Sequence, residues 1–289
     1  MPCRRGEKAV ERNLRIATRG SRLALAQFEI ISKILRKVGI DAEPVILKSH
    51  GEVDTVTPLY MIEERGIFVR KLNDAVLEGK ADAAVHSAKD IPAELQEELR
   101  IVFFSDRGDP RDYFVGNGDF LSFKGSVGSG SIRRRMFLSL VNRNMKFIDI
   151  RGNIDTRIEK WKNGEVDSLI VAKVALDRLN IFPPGEIIPE EICPPDPNQG
   201  FIAVVAPKEG FAPRIFSKIQ KESSLWEAGR EREIMNELNL GCDKAISIRA
   251  DYPSRKVKFS YANEERRVDL VFSGDVSSGD IKKMRDAIE

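Results

Sequence analysis

The chain passes through Ala83-Ala84-Val85-His86-Ser87-Ala88-Lys89-Asp90-Ile91-Pro92, and this stretch limits the folds open to it more than any other. Residues 81–85 are small and largely apolar, the pattern of a strand buried on both faces, and such strands belong to α/β sheets covered by helices. Pro92 closes the polar cluster before a helix can form. An ionisable pair, Lys89 and Asp90, therefore stands at a strand's end, where open α/β sheets bind ligands. On spacing alone a solvated surface ion pair fits equally well.

The flanking segments follow the same plan. Residues 14–17 read as a short strand and Thr18-Arg19-Gly20-Ser21 as the turn after it. Ser21 then caps a helix in which Leu23, Ala26, Ile30, Ile34 and Val38 recur at three or four residues, and Gly39 stops it. Residues 44–48 predict a second strand, 49–58 a loop, and 68–78 a helix ending at Gly79. The order is βαβαβ.

That order recurs. Gly79-Lys80-Ala81-Asp82-Ala83-Ala84-Val85 and Gly164-Glu165-Val166-Asp167-Ser168-Leu169-Ile170 share glycine, a variable residue, an apolar residue, aspartate and then a strand. Residues 126–131 lead into a helix over 132–141 as residues 16–21 lead into the first, and 146–150 form a further strand. Two such lobes would face each other across a cleft. Residues 100–110 and Cys193-Pro194-Pro195-Asp196-Pro197-Asn198 read as crossings, since a proline run is neither helix nor central strand. Residues 201–206 form an apolar strand that returns to a sheet already begun. A long helix through Glu237, three strand-like runs at 245–250, 257–261 and 268–272, and a final helix then make a small antiparallel α+β unit.

Composition narrows the function. The 47 basic and 45 acidic residues nearly cancel, so no general affinity for nucleic acid follows. No apolar run approaches a membrane span, and residues 1–13 lack a signal peptide's apolar core, so a cytoplasmic location without a membrane partner is expected. Cys3, Cys193 and Cys242 are widely spaced and, with only His50 and His86 beside them, predict free thiols and no metal site.

Arginine gathers near the expected strand ends. Ser129-Gly130-Ser131-Ile132-Arg133-Arg134-Arg135 sets hydroxyls and guanidinium groups at a helix N-terminus, which attracts anions. Arg19, Arg151, Arg157 and Arg178 stand in comparable positions. Guanidinium groups bind carboxylates bidentately and remain charged, so together they suit a ligand with several carboxylates. No GxxxxGK[ST] motif is present, and Gly128-Ser129-Gly130 is too short to identify a dinucleotide site. Cys242 follows Gly241 in a loop after the long helix; both a buried inert thiol and one reaching into a cleft fit that position.

Taken in order, Ile16-Ala17-Thr18-Arg19-Gly20-Ser21, Arg65-Gly66-Ile67-Phe68-Val69, residues 84–92, Asp109-Pro110-Arg111-Asp112, residues 128–134, Arg151-Gly152-Asn153, Asn198-Gln199-Gly200 and Gly241-Cys242 resemble the porphobilinogen deaminases, or hydroxymethylbilane synthases. The resemblance implies two periplasmic-binding-protein-like α/β domains, at 13–102 with 200–219 and at 107–196. It adds a small C-terminal α+β domain at 222–289 with a three-stranded antiparallel sheet. It also implies a transferase of tetrapyrrole (haem) biosynthesis. Four porphobilinogen molecules condense head to tail with loss of ammonia, on a dipyrromethane primer held by a thioether to a cysteine that matches Cys242.

Asp90 matches the family's catalytic carboxylate, which stabilises the cation left when ammonia departs. Ser21, Lys89, Ser129, Ser131, Arg133, Arg134 and Arg151 match positions that hold the primer, and Arg19, Arg157, Arg178 and Gln199 positions that bind substrate. A monomer is implied. The chain departs from the family at Arg22, Met61, Arg65, Gly130 and Leu240, and over residues 243–247. The alternative is a non-catalytic module of the same fold that captures an organic anion; Asp90 together with Cys242 argues against simple capture.

Overall fold

The computed structural model describes residues 13–47, 64–239 and 244–289, with backbone alone at 64–67. Outside it lie the expected loop at 49–58, Cys3, His50, Met61, the Arg65 side chain and the stretch 240–243 that carries Cys242. The strands are β1 (Leu14–Arg19), β2 (Ala42–Leu47), β3 (Ala83–Ser87), β4 (Leu99–Phe104), β5 (Asp112–Val115), β6 (Gly125–Gly128), β7 (Met145–Ile148), β8 (Ser168–Ala172), β9 (Gly185–Ile188), β10 (Ile202–Pro207), β11 (Ala245–Asp251), β12 (Lys256–Ala262) and β13 (Arg267–Ser273). The helices are α1 (Arg22–Arg36), α2 (Glu64–Leu77), α3 (Ile132–Val141), α4 (Ile154–Lys162), α5 (Lys173–Leu179), α6 (Phe211–Ile219), α7 (Glu222–Leu238) and α8 (Ser278–Ile288).

Two five-stranded sheets, ordered β2-β1-β3-β10-β4 and β7-β6-β8-β5-β9, share one plan. In each, three strands run parallel and the fourth position is taken by an antiparallel strand, β10 or β5. The mixed α/β class and the two matched lobes are those expected. The repeated glycine and aspartate have matching places: Gly79 and Gly164 take φ of 70° and 77° after their helices. Asp82 then accepts the Arg15 N–H at 2.9 Å, and Asp167 the Ser126 N–H at 2.7 Å. Each aspartate thus ties the strand it introduces to the first parallel strand of its lobe.

Side chains alternate across each sheet. Ala84 and Val205 pack with α2 and with Ala228 of α7, while Ala83, Val85 and Val204 pack with α1 and α6. Because helices cover both faces, β3 and β10 read as near-continuous apolar runs. In the second lobe Phe114, Val127, Phe137 and Ile170 form one core, which also takes Ala245 and Ala262 from the third sheet. The sheet β11-β12-β13 packs Ile248, Val257 and Phe259 on Ile234 of α7 and Met284 of α8, as the expected antiparallel unit requires.

Two expectations need correction. Residues 100–104 are part of edge strand β4 and not of a crossing; the crossing is 105–111. Its only strand partner among the described residues is β10, which arrives much later in the chain, so the pairing that defines it has no local signature. And a single 3₁₀ turn, Ala88–Asp90, does form before Pro92, because proline restricts its neighbour and leaves the turn upstream free. The strands β5 and β9, four residues each, are too short to show a period of their own. Among the described residues no helix is long and apolar enough to cross a membrane.

Candidate functional site

The parallel strands β1, β3, β6 and β8 deliver their carboxyl ends into turns that carry most of the suspected residues. After β1, the Arg19 guanidinium lies 4.3 Å from the Phe68 ring centroid, and its Nε is buried without a hydrogen-bond partner among the described residues. Half-buried Ser21 caps α1, its Oγ accepting the Ala24 N–H at 3.3 Å. After β3, the Ser87 hydroxyl accepts from Gln27 Nε2 at 2.7 Å, which ties this strand's end to α1.

His86 faces inward. Its Nε2 is 3.1 Å from Asn73 Oδ1, and burial pushes its pKa down to about 3, so the ring is neutral and serves the packing of α2 on β3. Lys89 and Asp90, consecutive in the 3₁₀ turn, have different surroundings. The Lys89 ammonium donates to Gln199 Oε1 at 2.8 Å and lies 3.6 Å from Asp196 Oδ2. The half-buried Asp90 carboxylate has no hydrogen bond or ion pair with another described residue. The backbone that follows it is held from the third unit, where Arg232 of α7 donates to the carbonyls of Ile91 at 3.2 Å and Pro92 at 2.6 Å.

In the second lobe Ser131 caps α3 by accepting the Arg134 N–H at 3.4 Å, and the buried Ser129 Oγ accepts the Ser131 N–H at 3.3 Å. Arg133 and Arg134 are 3% and 5% exposed, and neither is a solvated helix residue. Arg133 Nη2 donates to Asp112 Oδ2 and Arg134 Nη2 to Asp112 Oδ1, both at 2.8 Å. Arg133 Nε donates to Asp196 Oδ1 at 2.8 Å, and Arg134 Nη1 to the Ile170 carbonyl at 2.8 Å. Burial alone would raise the Asp112 carboxyl, but the two guanidinium charges outweigh it and hold it at about 2. Arg133 and Lys89 likewise hold Asp196 well below the usual carboxylate range against its burial. Cys193, packed against Arg133 and Asp112, is pushed up to about 12 by burial and is a neutral thiol.

Gln199 joins the lobes. It is fully buried; its Oε1 accepts from Lys89, and its Nε2 donates to Asp112 Oδ1 at 3.0 Å and to the Pro110 carbonyl at 2.6 Å. Arg178 of α5 donates to the Gly200 carbonyl at 2.6 Å, and burial pulls its pKa down to about 10. Arg157 Nε donates to the Gly152 carbonyl at 2.8 Å beside half-buried Arg151. Near the same strand ends the lobes touch again: Arg22 pairs with Asp155, and Leu23 packs against the cluster of Ala172, Val174 and Ala175.

Lys89, Gln199, Arg133 and Arg134 thus belong to one network, and Arg178 borders it through Gly200. Arg19, Ser21, Asp90 and Arg151 stand at or after strand ends and Arg157 lies on α4, without a described bond into that network. Asp112 and Asp196, which hold it together, were not among the suspected residues. Asp112 begins an apolar strand and Asp196 lies in a proline run, and neither context marks a charge partner. The arrangement offers fixed positive charge, the buried Nε groups of Arg19 and Arg134 without partners among the described residues, and one carboxylate that no described residue engages.

A family model described as "Porphobilinogen deaminase, dipyromethane cofactor binding domain" matches residues 14–211. A protein of Thermoplasma volcanium named "Probable porphobilinogen deaminase" is 40% identical over 237 residues, 81% of this chain and 80% of its own. One of the same name from Picrophilus torridus is 34% identical over 278 residues, 96% of this chain and 98% of its own. Among solved structures, the methionine-binding protein MetQ is similar at 12% identity over 76% of this chain and 94% of that chain, with a TM-score of 0.42. The strand order described above, and not this last likeness, carries the fold.

Proposed function

The chain belongs to the porphobilinogen deaminase family, and from that premise we propose which of its residues perform the condensation. The activity is that of a transferase of tetrapyrrole biosynthesis, joining four porphobilinogen molecules head to tail with loss of ammonia and releasing hydroxymethylbilane. The fold by itself does not decide between catalysis and capture, and does not favour a non-catalytic role here.

Asp90 is the proposed catalytic residue. Loss of ammonia from the aminomethyl group leaves positive charge on the substrate pyrrole, and a carboxylate placed there lowers the barrier. The observation that carries this role is the Asp90 carboxylate, without a partner among the described residues, beside Lys89, whose own ammonium is fixed on Gln199. Asp90 also accepts and returns protons as the new bond forms. Arg19, Arg134, Arg151, Arg157 and Arg178 bind the acetate and propionate groups, with Ser21, Ser129 and Ser131 as further donors.

The dipyrromethane group fits these residues: an anionic ligand would satisfy the buried Nε groups of Arg19 and Arg134, which otherwise lack partners among the described residues. Joined to Cys242 through a thioether, it would supply the pyrrole terminus to which substrate is added. Lys89, Arg134 and Arg151 would hold its carboxylates, and Arg133, which sequence matches to the same task, would act from behind them, since its donors are taken by Asp112, Asp196, Cys193 and the Pro194 carbonyl. The three proposed domains, 13–102 with 200–219, 107–196 and 222–289, divide the work into catalytic carboxylate, arginine-rich binding surface and primer attachment. The chain is further proposed to act as a cytoplasmic monomer, and its nearly balanced charge supports the lack of a nucleic-acid partner. Incubation with porphobilinogen tests the whole: four ammonia molecules should appear for each hydroxymethylbilane released, and binding without ammonia release would leave only the capture function.

A further inference from the structure

Asp112 opens β5 opposite Ala172, the last residue of β8, so it lies at the ligand-binding edge of the second sheet although its own strand runs the other way. It is fully buried, and both its oxygens are engaged twice. Oδ1 accepts from Arg134 Nη2 and Gln199 Nε2; Oδ2 accepts from Arg133 Nη2 at 2.8 Å and lies 3.6 Å from Cys193 Sγ. Three of these four neighbours are residues already suspected of binding, and Lys89 is one hydrogen bond further on.

The consequence falls on Arg134. Asp112 takes Nη2 and the Ile170 carbonyl takes Nη1, so the guanidinium plane is fixed and Nε is left as its buried donor without a partner among the described residues. Arg133 is immobilised more completely. Asp112, Asp196, the Pro194 carbonyl and Cys193 surround it. A charge balance alone would need only a nearby carboxylate. Here one carboxylate bridges two guanidinium groups edge to edge, a geometry that sets direction as well as charge.

We propose that Asp112 is a positioning residue for this reaction: it orients Arg134 for a ligand carboxylate before any ligand arrives and, through Gln199, fixes that arginine relative to Lys89 in the other lobe. The proposal rests on the reading of Arg134 as a carboxylate binder. Asp112 touches no substrate, and its contribution is preorganisation of the group that does.

Two variants and one measurement on the parent protein test it. Asp112→Glu keeps the charge and moves it by one methylene, so a counter-ion role would leave KM unchanged. Positioning predicts a KM for porphobilinogen raised on the order of tenfold or more, with kcat less affected, when rates are normalised to primer-loaded protein by intact mass. A folded Asp112→Glu protein with parental KM overturns the proposal. In the substrate-free parent protein labelled with 15N-arginine, the signals lost in Arg134→Lys should include slowly exchanging, separately resolved Nη protons. Averaged, rapidly exchanging signals would also overturn it, and this arm does not depend on any Asp112 variant folding. If Arg134→Lys itself keeps the parental KM, the carboxylate-binding reading fails; if it raises KM and Asp112→Glu does not, positioning alone fails.

Discussion

The Lys89 ammonium and the Gln199 side chain meet at 2.8 Å across 110 residues of chain. Since Gln199 also donates to Asp112, the turn that presents Asp90 and the pocket that holds Arg133 and Arg134 share one hydrogen-bonded path between lobes. Lys89 is thereby held on the interlobe crossing while its neighbour Asp90 has no described partner. Adjacent residues in a tight turn have been given opposite conditions, one fixed and one available.

Asp90→Ala is expected to keep the fold, since no described contact depends on the carboxylate. Turnover should fall on the order of 100- to 10,000-fold, as for loss of a group that stabilises transition-state charge or moves a proton. Stopped-flow measurement of ammonia release, with circular dichroism as the control, would check it; a variant with near-parental turnover removes Asp90 from the mechanism.

Cys242→Ser should abolish the covalent adduct. Intact-mass measurement of the parent protein after exposure to porphobilinogen is expected to show the added mass of dipyrromethane, absent from the variant. An adduct that survives the substitution would place the thioether elsewhere.

The buried, neutral His86 predicts a particular loss of stability in acid. Its pKa is about 3 in the fold against 6.5 ordinarily, so the unfolded chain binds the extra proton first. The stabilisation from keeping it neutral is therefore complete above about pH 6.5 and declines as pH falls toward 3, by at most about 1.4 kcal/mol per pH unit. Asp112 adds a second loss only lower, between its ordinary 3.8 and about 2. Denaturant melts across this range should show the upper slope reduced in His86→Gln; an unchanged slope would assign it to other groups.

Gly200→Ala should disturb the crossing itself. Gly200 has φ of 99°, and a Cβ there would stand 2.6 Å from the Gly108 carbonyl oxygen, where the crossings meet through the Gly108 N–H. A cost of about 1–3 kcal/mol is expected from the backbone conformation alone. Because Arg178 donates to the Gly200 carbonyl, KM should rise with it. A thermal melt and a kinetic comparison at one temperature would separate the two effects, and a variant unchanged in both would show the crossing to be yielding.

Much of this architecture was present in local pattern. Helix α3 spans the residues its capping serine and apolar spacing require, and the aspartates of the two repeats, Asp82 and Asp167, occupy equivalent positions in matching lobes. Edge strand β4 was hidden because pairing with β10 defines it, and β10 belongs to a later part of the chain.

The sequence by itself determined the α/β class, the repeated lobes, the family and the residue types at the strand ends, because periodicity, caps and motifs are properties of neighbouring residues. Tertiary structure alone decided which charges meet. Arg133 and Arg134, read as anion-attracting groups at a helix N-terminus, are buried on Asp112, and Gln199 bridges two lobes. Burial strengthens each such pairing by removing water, and which carboxylate meets which guanidinium depends on contacts between residues far apart in the chain.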